Sequence, residues 1–247
     1  MPPTNSKYGL LGKNISYSFS KKYFTEKFST LHLNCTYENF DIPSLEDFKT
    51  LLQNNPDLKG LNVTIPYKEA ILPYLDALSK KASKIGAVNV IRITKKGKLK
   101  GYNSDWYGLK KSLFPLLENH HKKALLLGTG GAAKAVAFAL EQLQIPYRYV
   151  SRTRQNEGFV YDELNQALLE EYQIIINCTP LGTSPNTDAC PPIPYQHLTK
   201  QHIAFDLIYN PEETTFLSRA KAMGAQTQNG YQMLVFQAEK AWKIWNK

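Results

Sequence analysis

The sequence predicts an α/β protein of two domains, the second built on a doubly wound parallel sheet. Three observations carry this. Between residues 124 and 209, short apolar strands alternate with helices, the rhythm of βαβ units. One junction there, ALLLGTGGAAKA (124–135), is a strand, a glycine-rich turn and a helix. The first hundred residues have a separate alternation of strand-like and helix-like pieces, joined to the rest by the helix-patterned DWYGLKKSLFPLLE.

The elements follow in order. YGLLG (8–12) reads as a strand running into a polar loop, KKYFTEKFST (21–30) has helical spacing, and HLNCTYENF (32–40) is extended. SLEDFKTLLQ (44–53) is a helix opened by a capping box of Ser44 and Asp47. In LNVTIPYK (61–68), Leu61, Val63 and Ile65 occupy alternate positions of a strand, which places Asn62 and Thr64 together on its other face. YKEAILPYLDAL (67–78) is helical but carries Pro73, which predicts a kink or break. AVNVIRI (87–93) and KLKGYN (98–103) are strands. After the connector come ALLLG, the helix AAKAVAFALEQL, the strand YRYVS, a helix near 161–170, the strands QIIINCT and HIAFDLIY, and a last helix, GYQMLVFQAEKAWKIW (230–245). Leu234, Ala238, Ala241 and Trp245 form its apolar stripe, with Gln237 along the edge.

The 247 residues suit one large or two modest domains, and 43% hydrophobic with 21% charged residues is an ordinary globular composition. No apolar run is long enough to cross a bilayer, and MPPTNSKYG lacks the apolar core of a secretion signal. Three widely spaced cysteines, Cys35, Cys178 and Cys190, fit a reducing cytoplasm and offer no metal pattern. The net charge of +9 fits nucleic acid, an anionic membrane or small anions as partners. The basic residues are scattered, and the densest run, KKGKLK (95–100), sits where a hairpin tip would expose it. Small anionic ligands are therefore the expected partners, with no nucleic acid and no membrane.

Gly128, Gly130 and Ala133 fit the dinucleotide pattern G-x-G-x-x-G/A, with Gly131 additional. The first glycine permits the tight turn, the second a close approach to a pyrophosphate, and the small third residue close packing of helix on strand. The helix that follows aims its unpaired N–H groups at the phosphates. The strand and helix on either side are the context this motif requires, and they predict a Rossmann-like domain. The next strand ends in YVSRTRQN, where an acid would bind the ribose of NAD. Ser151, Arg152, Thr153 and Arg154 stand there instead. Guanidinium groups pair with a 2′-phosphate, so the cofactor expected is NADP, with Arg152 at the strand end the stronger candidate. INCTPLG (176–182) ends the third strand and places Asn177, Thr179 and Gly182 near the cofactor.

Outside that unit, four polar groups stand out. They are Ser16, Ser18 and Ser20 in GKNISYSFS, then Asn62, Thr64 and Lys68, then Asn89 within an apolar strand, and Asp105 at the start of the connector helix. Each has an ordinary explanation: loop serines, a wet strand face, a satisfied core amide, an N-cap. Together they offer hydroxyls and amides for a polyol, a lysine for proton transfer, a carboxylate to orient it, and Gln237 as a further partner.

At this point the sequence resembles the shikimate dehydrogenase family, nearly end to end. GLLGKNISYSFS is similar to the family's G-x-P-I-x-H-S-x-S-P motif, NVTIPYK to N-V-T-x-P-x-K, GAVN and GYNSD to G-A-V-N and G-x-N-T-D. GTGGAAKA resembles G-A-G-G-A, SRT the N-R-T of NADP selectors, and INCTPLG the N-A-T-P-x-G segment. DLIYNPEETTFLSRAKAMGAQTQNGYQMLVFQA resembles D-x-x-Y-x-P-x-x-T through G-x-x-M-L-x-x-Q-A. Asn14 and Lys21 replace prolines of the first motif, Tyr17 its histidine, and Ser151 the Asn of N-R-T.

The resemblance implies reversible NADP-dependent reduction of 3-dehydroshikimate to shikimate, on the chorismate route to aromatic amino acids, in the cytoplasm. It implies Lys68 and Asp105 as the catalytic pair, and Ser18, Ser20, Asn62, Thr64, Asn89, Tyr209 and Gln237 around the anionic substrate. Gly128, Gly130, Gly131, Ala132, Ser151, Arg152, Thr153, Asn177, Thr179, Gly230 and Met233 would hold the cofactor. Two serines in the first motif favour shikimate over quinate. The implied architecture is an N-terminal α/β substrate domain (1–103), a Rossmann-like NADP domain (104–227) and a C-terminal helix (228–247) returning to the first, as monomer or homodimer. The competing readings are a quinate or amino-shikimate dehydrogenase, a non-catalytic NADP-binding sensor, and a basic nucleic-acid-binding protein.

Overall fold

The structure is a computed structural model describing residues 6–15, 18–154 and 157–247. Ser16 and Tyr17 of the first motif lie outside the described residues. The chain divides into two compact units, residues 1–104 with 237–247, and residues 105–236. The sequence places these boundaries at 103/104 and 227/228.

The first unit contains β1 (Ser6–Gly12), α1 (Phe19–Thr30), β2 (Cys35–Asp41), α2 (Phe48–Asn54), β3 (Leu58–Val63), α3 (Tyr67–Ala70), β4 (Ala77–Leu78), α4 (Lys80–Ile85), β5 (Val90–Ile93) and β6 (Leu99–Tyr102). Its mixed sheet runs β2-β1-β3-β5-β6-β4, with β1 parallel to both neighbours and β5 antiparallel to both of its own. The second unit holds α5 (Asp105–Leu113), β7 (Ala124–Leu127), α6 (Gly131–Gln142), β8 (Tyr147–Ser151), β9 (Phe159–Val160), α7 (Gln166–Glu171), β10 (Ile174–Asn177), β11 (Ile203–Asp206), α8 (Thr215–Ala222) and β12 (Gln226–Gln228). The last helix, α9 (Tyr231–Trp245), starts in the second unit and ends in the first.

The second sheet is β12-β11-β10-β7-β8-β9, parallel throughout. Counted from β7, that is the strand order 3-2-1-4-5-6 of the Rossmann fold, as the βαβ rhythm predicts. The central strands β7, β10 and β11 are buried at every position, which explains why they read as continuous apolar runs.

Several expectations change in detail. The helix over 67–78 breaks at Pro73: α3 is four residues, a 3₁₀ turn spans Leu72–Tyr74, and the chain then pairs as β4 with β6. Ser44 caps a 3₁₀ turn, accepting from the Glu46 N–H at 3.2 Å, and α2 begins only at Phe48. Leu61 and Val63 are buried, but Ile65 is 70% exposed. Beyond Val63 the chain turns, with the Tyr67 N–H donating to the Thr64 carbonyl at 2.9 Å, so the alternation stops. The helix near 161–170 is a 3₁₀ turn (Tyr161–Glu163) followed by α7, capped by Asn165. The KKGKLK run is a hairpin tip as expected: β5 and β6 pair antiparallel, and Gly97 turns at φ +74° between exposed lysines.

The two faces of the first sheet have separate cores. One gathers Leu11, Phe48, Leu61, Val63 and Ile91. The other is aromatic: Tyr8, Phe24, Phe28, Tyr37 and Trp245 pack between the sheet and the helices α1 and α9. Trp245 lies against Gly60 of β3 and donates its Nε1–H to the Ile91 carbonyl at 3.0 Å. A Cβ on Gly60 would fall 2.3 Å from the indole ring. Gly60→Ala therefore displaces Trp245, and urea unfolding is expected to register a loss of about 1–3 kcal/mol. Glu239 of α9 binds Tyr23 and Lys27 of α1. Burial opposes the Glu239 charge, but the bonds from Lys27 and Tyr23 outweigh it and hold the carboxyl below its usual range. The α1–α9 tie is therefore lost as pH falls through the acid range.

Candidate active site

Asn62 lies on the face of β3 that α1 and α9 cover, and it is only half-buried. Its Oδ1 accepts from the Tyr37 hydroxyl at 2.8 Å, and its Nδ2 donates to the Asn89 carbonyl at 3.3 Å. Tyr37 also hydrogen-bonds Ser20, and burial pushes its phenol well above the usual range, so it stays protonated. One buried tyrosine thus joins Ser20 on α1 to Asn62 on β3. Thr64 follows, half-buried, its methyl so close to Gly12 that a Cβ there would stand 2.6 Å away. Ser18 caps α1, accepting from the Lys21 N–H at 3.2 Å.

Lys68 sits on the short helix α3 just past this face, half-buried. Its carbonyl accepts from the Val88 N–H at 2.8 Å. The neighbouring Asn89 is buried and aims its amide at Ser104: Oδ1 accepts from the Ser104 N–H at 2.7 Å and Nδ2 donates to the hydroxyl at 3.0 Å. These bonds fix Lys68 and the residue that precedes Asp105 to one framework. Asp105 is buried and is the first residue of α5 rather than its cap. Gln237, midway along α9, is half-buried.

At the carboxyl end of the second sheet, Gly128 turns at φ +101°, where only glycine is at ease. Gly130 precedes α6 without a side-chain cap, so the first N–H groups of the helix are left to an outside partner. A Cβ on Gly130 would meet no protein atom within 4 Å, so packing does not require glycine there and the space is open to a ligand. Ala133 is fully buried against the sheet, while Gly131 and Ala132 stay partly exposed. This cradle fits a pyrophosphate. At the end of β8 the two arginines separate. Arg154 binds Glu163 and the Gly158 carbonyl. Arg152 is exposed and forms no ion pair among the described residues, and Thr153 beside it is exposed. The Ser151 hydroxyl turns back to the Thr153 carbonyl at 2.5 Å.

Asn177 is fully buried, so its side chain supports the loop from beneath. Its Oδ1 accepts from the Thr179 N–H (3.0 Å) and hydroxyl (2.7 Å), and its Nδ2 donates to Asp206 at 3.1 Å. Asp206, also fully buried, accepts further from the Ile208 N–H at 3.0 Å and the Thr214 hydroxyl at 2.6 Å. Burial pushes its carboxyl from 3.8 up to about 6, against the opposing bonds from Thr214, Ile208 and Asn177. The folded chain holds this proton to higher pH than the unfolded chain, so stability is lost as pH rises from about 4 to 6. Against Asp206→Asn as reference, urea unfolding at pH 4 and pH 7 is expected to show a relative loss of up to ~3 kcal/mol. Gly230 donates its N–H to the Ile208 carbonyl at 2.9 Å, and a Cβ there would strike the Leu207 carbonyl at 2.1 Å. Met233 is buried and Tyr209 half-buried on the same unit.

Comparison with known proteins decides the family. Residues 10–91 match the family model described as the shikimate dehydrogenase substrate binding domain. Over 96% of its length the chain is 36% identical to the shikimate dehydrogenase (NADP(+)) of Desulforamulus reducens, spanning 88% of that protein. The chain belongs to the shikimate dehydrogenase family. The shikimate dehydrogenase of Thermus thermophilus, solved in complex with NADP(H) and shikimate, superposes with a TM-score of 0.86 at 32% identity, over 97% of this chain and 93% of that one. Quinate dehydrogenase of Corynebacterium glutamicum, in complex with NAD, gives 0.86 at 26% identity, over 98% and 94%.

Among shikimate dehydrogenase motifs, the first is where this chain departs most, and its structure accounts for one change. Asn14 adopts φ +57° and donates its N–H to Asp41, whose carboxylate also accepts from the Ile15 N–H. A proline has neither that φ nor that donor, so Asp41 braces the loop in another way. Tyr37, Asp41, Asp206 and Thr214 all escaped the sequence reading as supports of the site. An aromatic or charged residue at an inward-facing position is all that marks Tyr37 and Asp41, a signal common in any core, while Asp206 and Thr214 stand in the D-x-x-Y-x-P-x-x-T motif, which does not show what they hold.

Proposed function

We propose that this protein catalyses the reversible NADP-dependent reduction of 3-dehydroshikimate to shikimate, on the chorismate route to aromatic amino acids. The observation that carries the reading is Lys68 at the end of a strand face bearing Asn62 and Thr64, with Ser20 and Asn89 tied to the same framework. Family membership supports it.

Bound NADPH supplies the hydride that the substrate's ring carbon receives. The substrate oxygen then gains negative charge and takes a proton from Lys68, which Asp105 orients. Ser18, Ser20, Asn62, Thr64, Asn89, Tyr209 and Gln237 hold the carboxylate and hydroxyls of the substrate. The glycine turn and the start of α6 hold the pyrophosphate, Arg152 with Ser151 and Thr153 the adenosine 2′-phosphate, and Gly230 and Met233 lie at the nicotinamide. The net charge of +9 draws both anions in. The enzyme works in the cytoplasm as monomer or homodimer.

Purified protein mixed with shikimate and NADP should produce reduced nicotinamide, and more slowly with NAD. Absence of turnover in protein that still binds NADP would overturn the reaction and leave a sensor. The similarity to a quinate dehydrogenase keeps one second reading in play. Turnover of quinate faster than shikimate would establish it.

A further inference from the structure

We infer that Asp206 is a positioning residue for the cofactor site, fixing two separate segments that face the ligand through the orientation of Asn177 and the backbone of Ile208. This rests on the second unit holding NADP.

The side-chain amide of Asn177 can sit in two orientations that differ by exchange of Oδ1 and Nδ2. A carboxylate only accepts, so Asp206 compels Nδ2 to face it. The second hydrogen of Nδ2 goes to the Leu181 carbonyl at 3.4 Å. Oδ1 is then left for Thr179, whose N–H and hydroxyl both donate to it. Thr179 in turn accepts from the Leu181 N–H at 3.3 Å and presses its methyl against Gly128, 3.0 Å from where a Cβ there would stand. With the amide reversed, two N–H donors would face Thr179, and the loop would lose the acceptor that holds it beside the glycine turn.

The second segment runs the other way from the same oxygen. Asp206 Oδ1 also accepts from the Ile208 N–H, and the Ile208 carbonyl accepts from the Gly230 N–H. In the proposed function Gly230 lies at the nicotinamide. Thr214 holds Oδ2 and at the same time caps α8, accepting from the Leu217 N–H at 3.3 Å. Cys178 and Tyr195 both feel the Asp206 charge, and burial keeps both neutral. A buried carboxylate whose proton is held up to about 6 is a costly way to fill a core position. Above that pH, it provides an acceptor that cannot be mistaken for a donor.

The test compares Asp206→Leu with Asp206→Asn in the full chain. Asp206→Leu removes the acceptor, and Asp206→Asn keeps an Oδ1 for Asn177 and Ile208. Titration of NADP by fluorescence or calorimetry, with thermal melts to confirm folding, is expected to show roughly tenfold or greater weakening for Asp206→Leu and under about threefold for Asp206→Asn. The KM for NADP should rise with Asp206→Leu, while the KM for shikimate at saturating NADP stays near that of the wild type. Should Asp206→Leu fail to fold, Asp206→Ser, too short to reach Asn177, replaces it with the same expectation. Wild-type affinity in the folded apolar or shortened variant overturns the inference, and so does a tenfold loss in Asp206→Asn, which would make the charge the agent. If the wild-type protein itself does not bind NADP, it is the reading of the site that fails.

Discussion

Lys68→Ala is expected to lower kcat by roughly 10³-fold, within the range for loss of a general acid, while NADP still binds. The bond that anchors α3 to the strand region runs from the Val88 N–H to the carbonyl of Lys68, and alanine keeps it. The neighbouring Tyr67 fills the core and donates to the Ile42 carbonyl at 2.7 Å. Truncation at residue 68 therefore removes a proton donor and leaves its platform. Hydride arrival at a ketone carbon creates an alkoxide unless a proton arrives with it, and water held less precisely is a poor replacement. The KM for NADP should change by less than about threefold, since the ammonium acts on the substrate oxygen. A small primary amine added to the assay should restore part of the rate. Retention of kcat within tenfold would place the proton donor elsewhere and sink the assignment.

How much of this was legible in sequence depends on how local the cause is. The glycine turn of residues 128–133 was, because tight turn, phosphate approach and close packing each impose a residue type at a fixed spacing. The central parallel strands were too, since burial on both faces leaves an unbroken apolar run. The edge strands β9 and β12 were not: two and three residues long, they exist only by pairing with a neighbour that sequence does not place beside them. Ser44 was recognised as a cap, but sequence could not distinguish a 3₁₀ turn from an α-helix over one turn. Asn62 and Lys68 were picked out by an odd polar pattern. Tyr37, the residue holding Asn62, looked like any strand aromatic, because its partner is distant in sequence and reached only through the sheet. Asp206 was visible as part of a family motif, yet its work depends on where Asn177 and Thr214 come to lie.

Arg152 and Arg154 show the same limit at the cofactor, and they carry the second large prediction. In sequence both are candidates for a 2′-phosphate, with Arg152 the stronger because it lies right at the strand end. In the structure Arg154 is already committed, to Glu163 nine positions on and to the Gly158 carbonyl. The Glu163 carboxyl answers that pairing: the bond from the Val160 N–H and the Arg154 guanidinium hold it below the usual carboxylate range. Arg152 is exposed and bears its charge without an ion pair among the described residues. A guanidinium in that state can engage a phosphate at two points without first breaking a bond. Arg152→Ala is therefore expected to raise the KM for NADP roughly 10- to 100-fold, as loss of charged hydrogen bonds does, with little change for NAD. The preference of the wild type should weaken as salt is raised, because the clamp is exposed, and the variant should be far less sensitive to salt. Arg154→Ala should alter the NADP to NAD ratio by less than about threefold, its loss falling instead on the short β9 segment that Glu163 helps to hold. Steady-state kinetics with both cofactors at two salt concentrations distinguishes the two. If Arg154→Ala shifts the ratio and Arg152→Ala does not, the free arginine is a bystander and the committed one must release Glu163 to meet the phosphate.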